Sequence, residues 1–193
     1  MKISGHVLGK DGNPIGGASV EIKNAAFDTV YRTVSAADGY YEMTADEEVY
    51  PFLTAVKAYA DKYLEYWCQN VDLTHALTLD PVFDRLEVYG LDIFRVKGGY
   101  PSLMVYFRPM SLDKFRRGEA ELAPDCKEIR VKIDGREAHI YSESAVSEFI
   151  GDRRVRAYLL QVELPTDSEG EHRLSVEITD HDGNYGKAEF FYR

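Results

Sequence analysis

The stretch YADKYLEYWCQN, residues 59–70, holds the side chains best suited to bind a ligand. Its aromatic residues are Tyr59, Tyr63, Tyr66 and Trp67, and they lie among carboxylate, ammonium and amide groups. Aromatic faces beside polar groups are suited to sugar recognition and to protein interaction hot spots. The sequence leaves two interpretations open: a binding site for a carbohydrate or protein ligand, or rings that fill the core and the seam between domains.

The sequence has five candidate metal-binding histidines, which are His6, His75, His139, His172 and His181. Two histidines four apart on a helix, or two cysteines three apart, would be typical of a zinc site, and the sequence has neither pattern. A zinc site could assemble only from distant strands. We therefore expect no bound metal and no other cofactor.

The sequence DHDGN, residues 180–184, resembles the start of a calcium loop because Asp180, Asp182 and Asn184 alternate. An EF-hand loop needs Gly at its sixth position and Glu at its twelfth. Here Gly183 is fourth and Phe191 is twelfth. The pattern predicts a turn between two strands.

Catalytic motifs give no support for an enzyme. The sequence has no G-x-S-x-G nucleophile motif and no glycine-rich phosphate loop. A glycosidase needs only two carboxylates across a cleft, so an unrecognised hydrolase remains an alternative. Five arginines could bind an anion or pair with nearby carboxylates, and we expect pairing; they are Arg116, Arg117, Arg153, Arg154 and Arg156.

The overall composition limits the possible partners. The chain has 193 residues, a formal net charge of -10 and an apolar fraction of 45%. A nucleic-acid binder would need a basic surface, so we expect none, and no apolar run is long enough to insert into a membrane. Residues 1–5 lead directly into a strand, which predicts no signal peptide. The compartment stays open between the cytoplasm and a secreted protein that has lost its leader, as does the oligomeric state.

Short alternating segments in the first 80 residues predict strands. Ala18, Val20 and Ile22 share one face, and Asp38-Gly39 is a strong hairpin signal. Residues 52–57 are also predicted as a strand, because the preceding Pro51 and the β-branched residues disfavour a helix.

These turns carry a pattern that resembles the carboxypeptidase regulatory-like family. The pattern is Gly5-x-Val7, then Gly12-x-Pro14-Ile15-x-Gly17-Ala18-x-Val20, then Asp38-Gly39-x-Tyr41. The resemblance implies a transthyretin-like β-sandwich over residues 1–80. Hydroxyisourate hydrolases and intradiol dioxygenases share that scaffold. This chain lacks the Tyr-Arg-Gly-Ser ending of the hydroxyisourate hydrolases. It also lacks the His-x-His motif of the intradiol dioxygenases.

Residues 84–193 predict a second sandwich. Leu174, Val176 and Ile178 lead into DHDGN and a final alternating strand, which resembles the last hairpin of bacterial immunoglobulin-like domains. Ser111 is predicted to cap a short helix that stops at Gly118, and SAVSEFIG, residues 144–151, is predicted as a second short helix.

The sequence therefore predicts an all-β chain of two β-sandwich domains, transthyretin-like at 1–80 and immunoglobulin-like at 84–193, with a short linker near residues 80–83. Cys68 and Cys126 are predicted to be free thiols. The expected function is a non-catalytic binding or structural module. A carbohydrate-binding accessory protein that uses the aromatic cluster is the first alternative.

Overall fold

The computed structural model describes residues 1–165 and 170–193. Over these residues the fold is nearly all β, as predicted. The strands before residue 84 are β1 Lys2–His6, β2 Leu8–Gly9, β3 Ser19–Lys23, β4 Thr29–Val34, β5 Tyr40–Thr44, β6 Val49–Val56, β7 Tyr66–Asp72, β8 Leu77–Thr78 and β9 Val82–Phe83. Those after it are β10 Leu86–Phe94, β11 Leu103–Ser111, β12 Cys126–Ile133, β13 Arg136–Glu137, β14 Ile140–Ile150, β15 Arg153–Val162, β16 His172–Asp180 and β17 Tyr185–Tyr192, and helix α1 is Leu112–Arg116.

The first half is a sandwich. Strands β5, β1 and β8 form one sheet, and β7, β6, β3 and β4 lie next to one another in a larger sheet. Ile3 and Tyr41 from the small sheet share a core with Ile22 and Leu53 from the large one. Alternate residues of β3 and β5 point into this core, as the period of two predicted, whereas residues 53–55 of β6 are buried in succession.

The second half packs the sheet β10-β11-β15-β14 against β13-β12-β16-β17. Along β11, Leu103, Val105 and Phe107 are buried while the residues between them are partly exposed. They share a second core with Val176 and Ile178 of β16. This core is separate from the first, and it begins at Leu86.

A parallel pairing between β7 and β17 joins the two halves. Trp67 lies opposite Ala188 and Cys68 lies opposite Glu189, so the large sheet has eight strands drawn from both halves. Phe191 of β17 also packs into the core of the first half. The halves thus share a sheet while keeping separate cores, and the domain boundary between 80 and 84 stays a prediction.

A buried carboxylate lies at this joint. Glu189 is only 3% exposed and accepts a hydrogen bond from the Tyr66 hydroxyl. Its Oε1 atom lies 3.6 Å from Arg173 and 3.4 Å from Lys187. A buried charge is tolerated only when it is paired and hydrogen-bonded, and these three partners meet that need.

The segment between the halves is structured. Strand β9 pairs in parallel with β2, and the Leu8 amide donates to the Pro81 carbonyl at 2.9 Å. These bonds hold residues 81–83 against the first sandwich, and the next residues lead directly into β10.

Two glycines of the regulatory-like pattern have clear backbone roles. A Cβ atom at Gly5 would lie 1.9 Å from the Leu79 carbonyl oxygen, so β1 and the segment after β8 meet too closely for any side chain. Gly39 has a φ of +81°, and a Cβ there would lie 2.6 Å from the Val7 oxygen. Only glycine satisfies both the conformation and the close approach.

The predicted helix at residues 111–118 is confirmed as α1. The Ser111 side chain accepts the Lys114 amide, and Gly118 has a φ of +69° just beyond the helix end. Such a residue is typical of helix ends. Within the described part of the chain, no helix is long and apolar enough to span a membrane.

The prediction of a helix at residues 144–151 is wrong. These residues lie in β14, which pairs with β15 along its whole length around a turn at Gly151. Val146, Phe149 and Ile150 favour a strand, and the long hairpin outweighs the local helical signal.

The final hairpin and its turn are confirmed. Asp180 Oδ1 accepts the amides of Asp182 at 3.0 Å and Asn184 at 2.8 Å, so this carboxylate holds the turn. Cys68 and Cys126 are free thiols, also as predicted. Burial raises the pKa of both.

Candidate functional site

A groove of about 580 Å³ lies where the two halves meet, and we call it the aromatic groove. It is lined by Phe27, Phe52, Tyr59, Glu65, Trp67, Gln69, Glu87, Tyr89, Gly90, Arg108 and Met110. This volume is in the usual range of small-ligand sites, roughly 300–1,000 Å³.

Residues from both halves build the groove. Trp67 and Gln69 share one face of β7 because side chains alternate along a strand. Strands β10 and β11 supply the opposite wall, including Tyr89 and Arg108. The turn between β3 and β4 adds Phe27, and the segment between β6 and β7 adds Tyr59 and Glu65. The site therefore depends on the joint between the halves.

Trp67 is the centre of the aromatic contacts. Phe27 stacks on it with ring centroids 5.3 Å apart and an interplanar angle of 22°. Phe52 and Tyr89 meet it edge-on at 6.1 Å and 5.6 Å. Aromatic pairs with this spacing are favourable beyond the area that they bury. Trp67 is thus fixed by three rings while remaining partly exposed to the groove.

Two segments that carry groove rings have strained backbones. Phe27 has a φ of +67°, and Ala58 and Ala60, which flank Tyr59, have φ values of +48° and +60°. Such values are costly for residues other than glycine and occur often at functional sites. The Asn24 side chain holds the first segment by accepting two amides of its own turn.

Glu87 forms the buried polar base of the groove. It is 1% exposed, and its Oε1 accepts a hydrogen bond from the Trp67 indole nitrogen at 2.9 Å. Its Oε2 accepts the Glu65 amide at 3.4 Å. Burial raises the pKa of Glu87 to about 7, because a charged carboxylate is poorly solvated there. Burial also raises the pKa of Glu65.

Arg108 adds a cationic group to the groove. Its guanidinium lies over the Tyr89 ring, 4.7 Å from the centroid. Its Nε lies 3.4 Å from Glu148 Oε2, yet it makes no hydrogen bond within the described part of the chain. Because this Nε is buried, a ligand would have to contact the other nitrogens of the guanidinium.

The structure brings together two of the four aromatic residues singled out in the sequence. Tyr59 and Trp67 line the groove. Tyr63 instead packs edge-on against Phe83 at 5.3 Å, beside the core of the first half. Tyr66 is fully buried at the joint, so its ring is not accessible to a ligand.

Sequence reasoning missed most of the groove, including Phe27, Phe52, Glu87, Tyr89 and Arg108. The sequence contained one indication of the groove, because Glu87 interrupts the otherwise apolar start of a predicted strand. A carboxylate buried at such a position needs a hydrogen-bonding partner. The other residues come from turns and strands whose proximity no local pattern indicates.

Three of the five predicted arginines pair with carboxylates, as expected. Arg116 lies 3.2 Å from Asp61, and Arg117 lies 2.7 Å from Glu119. Arg156 forms an ion pair with Asp125.

Comparison with solved structures finds distant similarity over most of the chain. A candidate carbohydrate-binding protein from Bacteroides uniformis is 9% identical, with 100% of this chain and 98% of that chain covered and a TM-score of 0.38. The major pilin subunit BcpA of Bacillus cereus is 11% identical, with 98% of this chain and 67% of that chain covered and a TM-score of 0.34. A DUF3823 family protein from Bacteroides ovatus is 9% identical, with 97% of each chain covered and a TM-score of 0.33.

No curated protein matches the chain. The immunoglobulin-like assignment of residues 84–193 stays a prediction.

The family model that matches describes the carboxypeptidase regulatory-like domain and covers residues 2–81. This match agrees with the glycine and proline pattern and with the sandwich of the first half. The prediction of a carboxypeptidase regulatory-like domain at the start of the chain is thus confirmed by the match to residues 2–81.

Proposed function

We propose that the chain is a non-catalytic binding module and that the aromatic groove is its ligand site. The observation that carries this proposal is the placement of Trp67 and the 52%-exposed Tyr59 on one concave surface with hydrogen-bonding groups. A concave, largely apolar site with a few polar groups is the usual form of a ligand site.

The ligand class that fits best is an uncharged carbohydrate. Sugar rings have apolar faces that stack on aromatic rings, and their hydroxyls need donors and acceptors at the edges. Gln69 and Glu65 supply such groups, and Arg108 adds a donor. The groove contains both acidic and basic side chains, so it favours a ligand without net charge.

Hydrolysis of a bound glycan is less well supported. Glu65 and Glu87 both line the groove, and a glycosidase uses two carboxylates across a cleft. However, both oxygens of Glu87 accept hydrogen bonds from the chain itself, and the residue is 1% exposed. A general acid must reach the glycosidic oxygen, and Glu87 points its carboxyl group at Trp67 instead.

A glycan screen monitored by tryptophan fluorescence tests the proposal, because Trp67 is the single tryptophan. A bound sugar should shift its emission in a saturable manner. Tyr59→Ala should weaken binding about tenfold, since a lost stacking contact is worth about 1–1.5 kcal/mol. It should leave the melting temperature unchanged, because Tyr59 is half exposed.

The matched control is Tyr100→Ala, which removes a tyrosine that is 66% exposed and lies outside the groove. It should bind the sugar as the unaltered chain does. If a glycan binds equally well to the Tyr59→Ala protein, the groove is not its site. If a peptide library and not a glycan array shifts the emission, the ligand class is wrong.

A further inference from the structure

Three side chains capable of binding a metal ion meet beside the end of β7, outside the lining of the aromatic groove. Asp72 is the last residue of β7, His75 lies in the turn that follows, and Glu171 directly precedes β16. One ligand atom from each lies within 4.8 Å of the other two. We call these residues the Asp72 site.

Asp72 is held in place by its own turn. Its side chain is 1% exposed, and its Oδ1 accepts the Thr74 amide at 2.8 Å and the Thr74 hydroxyl at 2.6 Å. The second oxygen, Oδ2, therefore has a fixed direction. It faces the Arg193 guanidinium, which also lies 3.7 Å from Glu171 Oε1.

The Arg193 guanidinium shows that this position accepts a cation between two carboxylates. Arg193 is 67% exposed, so it can leave the position with little loss of packing. His75 adds an imidazole nitrogen within 4.8 Å of an oxygen of each carboxylate. Because calcium and magnesium bind oxygen ligands almost alone, an imidazole beside two carboxylates favours a transition metal.

We propose that Asp72, His75 and Glu171 bind a divalent transition-metal ion, with Zn²⁺ bound more tightly than Mn²⁺ or Ca²⁺, in competition with Arg193. Zinc bonds of about 2.0–2.2 Å to nitrogen and oxygen place neighbouring ligand atoms roughly 3–4 Å apart. The present separations of up to 4.8 Å close to that range by rotation of His75, which is exposed, and Glu171, which is partly exposed. Water would complete the coordination.

The experiment is a calorimetric titration of chelator-treated protein, purified without a histidine tag, with ZnCl₂, MnCl₂ and CaCl₂. One Zn²⁺ should bind per chain, and Mn²⁺ and Ca²⁺ should bind more weakly. His75→Ala should lower the Zn²⁺ affinity at least about tenfold, since loss of even an outer partner of a metal ligand costs about 10–100-fold.

Arg193→Gln separates a metal site from a simple ion pair. It removes the competing cation and should raise the Zn²⁺ affinity severalfold, whereas a purely structural role predicts no gain. His181→Ala is the control, because His181 is also exposed and lies in the β16–β17 turn. Absence of saturable Zn²⁺ binding would overturn the proposal. So would equal affinity in the His75→Ala protein, or weaker binding in the Arg193→Gln protein.

Discussion

Trp67→Ala is expected to lower the free energy of unfolding by about 3 kcal/mol. Loss of a buried tryptophan costs about 3–5 kcal/mol, and the lower end applies because Trp67 is only half buried. The substitution also removes the contacts with Phe27, Phe52 and Tyr89 and the indole donor to Glu87. Denaturant unfolding with a circular dichroism signal measures the change, because the variant has no tryptophan fluorescence.

A second variant separates the packing of Trp67 from its hydrogen bond. Trp67→Phe keeps an aromatic ring between Phe27 and Tyr89 but removes the N–H group that Glu87 accepts. It should lose about 1–2 kcal/mol, the cost of leaving a buried acceptor without its donor. A Trp67→Ala protein as stable as the unaltered chain would show that the ring is a surface group without a role in packing.

Glu87→Gln is expected to stabilise the protein by about 2 kcal/mol near pH 8 and to have little effect near pH 5. The unfolded chain ionises Glu87 at its ordinary pKa of about 4.5, whereas burial raises the pKa in the folded state to about 7. Because the folded state holds the proton more tightly, stability falls as the pH rises from about 4.5 to about 7, and stays low above that.

The full linkage value is about 3.4 kcal/mol for a shift from 4.5 to about 7, and the amide recovers less because it cannot accept both hydrogen bonds of the carboxylate. Burial raises the pKa of Glu65 as well, which adds a contribution of the same sign. Urea unfolding of both proteins across the range from about pH 5 to pH 8 makes the comparison. Glu47→Gln, at an exposed position, is the matched control. An effect of Glu87→Gln that is the same at about pH 5 and about pH 8 would contradict the raised pKa of Glu87.

Much of the fold could be predicted because many of its strands and turns have a recognisable local residue pattern. The alternation of Leu103, Val105 and Phe107 and the Asp38-Gly39 turn depend only on neighbouring residues. The helix prediction at residues 144–151 was wrong because it too relied only on neighbouring residues. Residues 144–150 have mixed local propensity, and they form a strand because β15, which follows directly after the turn at Gly151, pairs with them.

The candidate site could be predicted only in part, because long-range pairing builds it. Sequence reasoning found Tyr59 and Trp67 since they are close in the chain. It could not find Glu87 or Arg108 as their neighbours, because they come from a sheet of the other half. The Asp72 site could not be predicted from the sequence either, because Glu171 is distant in sequence from His75.

The parallel pairing of β7 with β17 has a consequence for biosynthesis. The Tyr66 hydroxyl and its acceptor Glu189 are separated by 123 residues, so β7 leaves the ribosome well before its partner strand is translated. Until then the nascent chain exposes an unpaired strand edge beside β6, and open edges are templates for association with other chains. Translation of the second half therefore sets how long that edge stays open, and a stall there would favour aggregation.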